Sequence, residues 1–349
     1  MEVSDTRIGP DSSPFFIAEA GVNHNGELKK AKELIDVAAE AGADAVKFQT
    51  FSADRLVAKD TSTTEYQQES TDNQDQYEML KKYELSRDNH IELIEYSNSQ
   101  EITFLSSPFD FKSVDLLIEL GVDALKIGSG ELTNHPLLKY VSGREVPLIV
   151  STGMGTMDEV QEAYDVIQST DPETDVVFLH CTSDYPCSLD DVNLQAMRTM
   201  MSKLDIPIGY SDHTLITETP GLAVAAGACV VEKHFTLDRE LRGPDHSMSL
   251  EPEGLRQAVE FADVANRIRG DSKKQPTAEE MESRPVTRKS LHAARDIKAG
   301  STIARSDVKI VRPTSGLPPK KYESVLGQTA SHDIATDEPI RSDAIQKGK

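Results

Sequence analysis

Short apolar runs alternate with longer amphipathic stretches through the first 268 residues of this 349-residue chain, and the alternation repeats eight times. The runs are FFIAEA (15–20), DAVKFQT (44–50), ITFLSSP (102–108), ALKIGSG (124–130), VPLIVSTG (146–153), VVFLHCT (176–182), IPIGYSD (206–212) and CVVEKHF (229–235). Their length and composition suit buried parallel strands. Stretches such as LKKAKELIDVAAEAG (28–42) and DEVQEAYDVIQST (158–170) fill the gaps as helices. Eight successive βα units predict an α/β protein built on a closed (β/α)8, or TIM, barrel. An open doubly wound sheet is disfavoured, because no GxGxxG phosphate loop follows the first strand.

Beyond the eighth unit the pattern stops. GDSKKQPTAEEMESRP (270–285) is polar and without periodicity, and reads as a linker. The expected organisation is therefore a barrel domain over 1–269, a linker over 270–287 and a small domain over 288–349. Charge separates the two ends: residues 288–349 hold 12 Lys and Arg against 7 Asp and Glu, a net of +5, which leaves −27 of the total −22 on residues 1–287. An acidic body makes nucleic acid an unsuitable partner. No run of 18 apolar residues and no charged-then-apolar leader is present, so no membrane partner and a cytoplasmic location are expected. The three cysteines, Cys181, Cys187 and Cys229, lack CxxC spacing and read as reduced thiols.

Each apolar run ends in groups that chemistry uses: Glu19, Lys47 with Gln49, Ser106 with Ser107, Lys126 with Ser129 and Glu131, Ser151, His180, Ser211 with His213, and Glu232 with His234. In a barrel these ends converge on one mouth. Two neutral imidazoles from neighbouring strands, His213 and His234, can share a divalent ion; the other reading is a strand-end cap and a packed ring. Lys47 and Lys126 lie within apolar runs, where a lysine needs an anion. For Lys47 that anion is either a substrate or a structural partner in Glu19. Ser129, Ser151 and Ser211, beside Gly128, Gly130 and Gly153, offer the hydroxyl and backbone donors that surround phosphate. Glu19, Glu131, Glu232 and Asp245 are the available acids and bases. Together these groups suit a phosphorylated, carboxylated small substrate reacting with a carbonyl.

The ordered motifs IAEAGVNHNG (17–26), DAVKFQTF (44–51), KIGSGE (126–131), STGM (151–154), LHCTSDYP (179–186), SDHT (211–214), EKHFT (232–236) and RGPDHSMSL (242–250) resemble those of the sialic acid synthase family. The tail, with HAARDIKAGSTI, DVKIVRP and LGQTASHDI, resembles the antifreeze-like (SAF) domain that these synthases carry. The resemblance implies a metal-dependent condensation of phosphoenolpyruvate with an N-acetylated hexosamine in a domain-swapped homodimer. His213 and His234 would hold manganese, or magnesium or cobalt in its place. Lys47, Lys126, Ser129, Ser151 and Ser211 match positions for the phosphate and carboxylate. Gln49, Asn73, Ser107, Tyr185 and Asp245 match the substrate side, and Glu19, Glu131 and Glu232 would orient water and protons. Arg312 would reach the partner subunit's site.

Two positions depart from that pattern. Ser183 stands where the family often has Asn, and Asp184 replaces an apolar residue common in neuraminate synthases. An acidic loop residue there is closer to the synthases that make legionaminic acid from a 2,4-diacetamido-trideoxyhexose. N-acetylmannosamine is the expected acceptor, as the family's generic substrate, with the legionaminic or pseudaminic precursor as the alternative. A 3-deoxy-keto-acid synthase would share the barrel but not the tail. A non-catalytic carbohydrate-binding protein would leave the lysines and histidines without use.

Overall fold

The computed structural model describes residues 1–59, 61 and 75–346. The chain forms two compact bodies, Met1–Gly270 and Asp271–Lys349. In the first, eight parallel strands close into a barrel: β1 (Phe15–Gly21), β2 (Ala45–Thr50), β3 (Thr103–Pro108), β4 (Leu125–Ile127), β5 (Leu148–Ser151), β6 (Val176–Cys181), β7 (Ile208–Asp212) and β8 (Val230–His234). Each pairs with the next, and β8 pairs with β1. β4 is shorter than its apolar run suggested, because Gly128 leads straight into a 3-10 turn at Ser129–Glu131.

The helices form where the sequence pattern put them. Leu28–Glu40 buries Ala31, Leu34, Ile35 and Ala38, one face at helical spacing, and Gly42 follows at φ +82°, a conformation that favours glycine. Met157–Thr170 starts on a capping box between Thr156 and Glu159.

Strand alternation sorts the core into two layers. Phe16, Ala18, Ala20, Val46 and Phe48 face outward and pack with the helices. Phe15, Ile17, Ala45, Leu105, Ala124, Ile149, Val177, Leu179 and Val230 fill the barrel interior, joined by Val3 and Ile8 of the N-terminal segment. These residues lie near the strand starts, so the N-terminal end of the barrel is a sealed apolar plug. Gly209 is required there: a Cβ would sit 2.5 Å from both the Val230 carbonyl oxygen and Leu179 Cδ2.

Stepping two residues along each strand turns the interior polar. Ile17 gives way to Glu19, Ala45 to Lys47, Ala124 to Lys126, Ile149 to Ser151 and Val230 to Glu232, all buried. A period of two places them on the same inner face, one level nearer the C-terminal mouth. The intervening residues point the other way. Lys233 pairs with Asp212 at 2.6 Å and donates to the Thr214 carbonyl at 2.6 Å, and both charges are fully buried. Half of the SDHT and EKHF clusters therefore braces the strands and does not face the mouth.

The second body has its own core of Leu291, Ala293, Ile297, Ile303, Val308, Val325, Ala330, Ile334, Ile340 and Ala344. Strand Ser290–Ala293 pairs antiparallel with Val308–Val311, and Thr329–Ala330 with Ile345–Gln346. The stretch read as an irregular linker contains a helix, Ala278–Thr287, started by a capping box between Thr277 and Glu280. Its periodicity was invisible because it buries no residue. Among the described residues no helix is long and apolar enough to cross a membrane.

Candidate active site

The C-terminal mouth of the barrel is a cleft of about 390 Å³. Of the residues expected there, Glu19, Lys47, Gln49, Ser107, Lys126, Ser129, Ser151, Tyr185, Ser211, His213, Glu232, His234 and Asp245 all line it. Three do not join them. Glu131, on the 3-10 turn after β4, is outside the lining, and its carboxylate accepts from the Asn134 side chain at 2.6 Å. Asn73 lies outside the described residues. Arg312 belongs to the second body, directly after the strand Val308–Val311.

Two buried ion pairs organise the polar floor. Lys47 Nζ lies 2.7 Å from Glu19 Oε2 and donates to Ser107 Oγ at 3.0 Å. Lys126 Nζ lies 3.4 Å from Glu232 Oε1, which also accepts from Ser211 Oγ at 3.2 Å. Burial pushes the Glu19 carboxyl up to about 7 against the opposing pull of Lys47. Burial alone would lower Lys47, but the carboxylates of Glu19 and Glu232 outweigh it and raise its pKa. Lys126 stays below the ordinary lysine value, because burial and the neighbouring Lys47 outweigh its attraction to Glu232. Burial also raises Asp245, to about 6, with His213 and Lys47 opposing. Lys126 thus has less anionic support than its burial demands, and a bound anion would supply it.

Several buried polar atoms are left without a hydrogen-bond partner: Ser151 Oγ, Ser183 Oγ, Glu232 Oε2 and His234 Nδ1. Such atoms cost free energy unless a ligand or water satisfies them. Ser129 is oriented by the Gly153 N–H, which donates to its Oγ at 3.0 Å. The same turn leaves no room for a side chain, since a Cβ on Gly153 would lie 2.1 Å from Ser183 Oγ.

The two histidines meet at the mouth with ring centroids 5.3 Å apart, and Tyr185 lies against His213 at 4.1 Å. His213 Nδ1–H donates to the Thr182 carbonyl at 2.7 Å, which leaves the lone pair on Nε2, where Cys181 Sγ lies 3.9 Å away. Burial holds His234 well below the ordinary histidine range, as a neutral imidazole. The His213 and His234 rings, with the unpartnered His234 Nδ1 and the unpartnered Glu232 Oε2, are donors of the kind that fit the divalent ion that the resemblance implies. Among the described residues no group of three or more His, Cys, Asp and Glu is placed to hold a metal ion by itself.

Sequence reasoning missed part of the lining. Cys181, read as an ordinary thiol, sits 3.8 Å from His213 Nδ1 and 3.7 Å from Ser129 Oγ. Its position on β6 two residues beyond the inward-facing Leu179 is the signal that could have found it. Ser183 was noted only as a departure. Val22, inside the motif 17–26 but not singled out, also lines the cleft, as do Met79, Leu80, Tyr83 and Phe109, which no motif marked.

Fold and mouth together define a (β/α)8 protein whose C-terminal cleft holds two buried lysines beside a histidine pair. The chain belongs to the NeuB family, whose model matches residues 34–274, and its tail matches the SAF domain over residues 288–346. It is 45% identical to the N,N'-diacetyllegionaminic acid synthase of Legionella pneumophila over 94% of this chain and 93% of that protein. Identity to the N,N'-diacetyllegionaminic acid synthase of Campylobacter jejuni is 42%, covering 93% of this chain and 98% of that one. Among solved structures, the N-acetylneuraminic acid synthetase of Leptospira borgpetersenii, in complex with citrate, superposes with a TM-score of 0.74 at 35% identity, covering 81% of this chain and 94% of that one. The chain is thus a member of the sialic, legionaminic and pseudaminic acid synthase family.

Proposed function

We propose that this protein condenses phosphoenolpyruvate with a 2,4-diacetamido-2,4,6-trideoxyhexose and water, forming N,N'-diacetyllegionaminic acid and phosphate. The two relatives at 45% and 42% identity carry that activity in their names, which favours it over the N-acetylmannosamine expected from the sequence. N-acetylneuraminate synthesis is the second reading, favoured by the solved structure of that name. The observation that carries the reaction class is the pair of buried lysines, Lys47 and Lys126, at one level with the unpartnered Ser151 hydroxyl.

In this reading Lys47, Lys126, Ser129, Ser151 and Ser211 hold the phosphate and carboxylate of phosphoenolpyruvate. Ser183, whose hydroxyl is free, joins them. Gln49, Ser107, Tyr185 and Asp245 hold the sugar, with Asn73 expected beside them. Carbon 3 of the enol phosphate attacks the open-chain aldehyde carbon, water adds at carbon 2, and cleavage of the carbon–oxygen bond releases phosphate. Glu19, with a pKa near 7, accepts a proton from the attacking water at neutral pH and can return it to the new alkoxide. Glu232, held ionised by Lys126 and Lys47, stays an acceptor. A divalent ion on His213 and His234, manganese first with magnesium or cobalt as alternatives, would polarise the aldehyde oxygen.

The net charges of −27 on residues 1–287 and +5 on residues 288–349 support a swapped homodimer in which Arg312 serves the partner's mouth. Sedimentation velocity tests it: a dimer is expected, and a fully active monomer would contradict it. Phosphate release from phosphoenolpyruvate against a panel of acylated amino sugars, with and without manganese, tests the reaction. Release with N-acetylmannosamine alone would move the assignment to the second reading.

A further inference from the structure

The cleft is chemically two-sided. Besides its charged floor it is lined by Val22, Met79, Leu80, Tyr83 and Phe109. These side chains belong to one built element. Val22, Met79 and Tyr83 form a cluster with Phe51, separate from the barrel interior and from the strand–helix layer, and Leu80 and Phe109 pack against it. Phe51 meets Phe109 edge-on, with centroids 6.1 Å apart. The helix Gln76–Lys81, capped by the Asp75 carboxylate, carries Met79 into the cluster and leaves Leu80 half-buried at the cleft. The wall therefore rests on the ends of β1, β2 and β3 and on the excursion between β2 and β3.

An apolar wall is a poor surface for a polyhydroxylated sugar. A hydroxyl pressed against it loses water and gains no partner, whereas a methyl group there gains by leaving water. N-acetylmannosamine carries hydroxyls at carbons 4 and 6; the trideoxyhexose carries an acetamido methyl and a bare methyl at those positions. We infer that the wall of Val22, Met79, Leu80, Tyr83 and Phe109 is the specificity element of the acceptor site, taking the methyl groups of the acceptor and discriminating against hydroxyls. The inference rests on the preceding reading that the acceptor is an acylated amino sugar. Hydrophobic sites discriminate a methyl or hydroxyl change only about 10- to 100-fold, which sets the size of the effect.

The test needs no variant at first. For the parent protein, kcat/KM for the 6-deoxy analogue of N-acetylmannosamine is expected to exceed that for N-acetylmannosamine by about 10-fold or more. Equal or reversed values overturn the inference while leaving the condensation itself intact. Leu80→Gln and Phe109→Gln then should lower the ratio of trideoxyhexose to N-acetylmannosamine kcat/KM about 10-fold, with KM for phosphoenolpyruvate unchanged. Leu80→Met and Phe109→Leu should keep the ratio. A ratio unmoved in folded Gln variants, or one lost equally in the conservative pair, also overturns it. If the parent releases no phosphate with any acylated amino sugar, the reading of the reaction fails and the inference falls with it.

Discussion

Lys47 and Glu19 face each other across β1 and β2 with 2.7 Å between ammonium and carboxylate, and both are buried. A buried pair is weak evidence for stability, because desolvating two charges offsets their attraction. Here it holds a cation in place inside the cleft, where the proposed reaction brings an anionic substrate. Lys47→Met should lower kcat/KM for phosphoenolpyruvate roughly 30- to 1000-fold and reduce stability by about 3–5 kcal/mol, since Glu19 is left unpaired. Adding Glu19→Gln should restore most of the melting temperature and none of the turnover. Recovery of activity along with stability would show the pair to be structural only.

The histidine pair makes a separate prediction. His234 Nδ1 is buried without a partner, so His234→Ala removes no protein hydrogen bond through that atom. The barrel should keep its fold while calorimetric titration with manganese loses its heat of binding. Undiminished manganese affinity in His234→Ala would remove this residue from the ligand set.

Buried histidines outside the mouth set a pH dependence. His24 is fully buried, its Nδ1 accepts from the Gly26 N–H at 2.9 Å, and burial lowers its pKa to about 4. The unfolded chain binds the proton near 6.5, so the unfolded state takes up more protons between those values. His24 therefore contributes stability fully present above 6.5 and progressively lost as pH falls towards 4. At pH 5 that loss is about 2 kcal/mol. Glu19 and Asp245, raised to about 7 and about 6, act in the opposite sense, adding stability at low pH that is lost as pH rises through those values. The parent profile sums terms of both signs, so the informative quantity is a difference. In His24→Asn, urea unfolding should show the gap in stability between pH 8 and pH 5 shifted by about 2 kcal/mol towards the acid side. An identical gap in parent and variant would contradict a neutral buried His24.

The barrel order could be read because its interior alternates with a period of two, and the same period explains what could not be read. Glu19, Lys47, Lys126, Ser151 and Glu232 continue inward-facing apolar positions, and Ser211 follows the inward-facing Gly209, so counting along each strand assigns them to the mouth. The same count applied to SDHT and EKHFT would have sent Asp212 and Lys233 outward, into their buried brace. Glu131 failed for a different reason: a three-residue strand followed by a 3-10 turn breaks the alternation. The apolar wall has no strand period to announce it, since Met79, Leu80 and Tyr83 come from a short helix and its exit within a long excursion. Only packing in three dimensions shows that they share a surface with Val22 and Phe109.

Gly209 tests the packing of the sealed end. With Val230 carbonyl oxygen 2.5 Å from a built Cβ, the obstacle is backbone and cannot rotate away. Gly209→Ala should cost about 1–3 kcal/mol or more by overpacking. Gly143→Ala, where no atom lies within 4 Å, should fall within about 0.5 kcal/mol of the parent. Equal denaturation midpoints for the two variants would mean that the interior layer yields more readily than its contacts indicate.

The central claim is a carbon–carbon condensation driven by loss of phosphate, and one labelling measurement reaches it directly. Phosphoenolpyruvate carrying heavy oxygen at the bridging position is incubated with the 2,4-diacetamido-2,4,6-trideoxyhexose, manganese and the full chain, and both products are weighed by mass spectrometry. The account predicts a nine-carbon keto acid of the mass of N,N'-diacetyllegionaminic acid, formed one for one with phosphate that retains the heavy oxygen. Phosphate without the label, or no keto acid above the enzyme-free control, would contradict it.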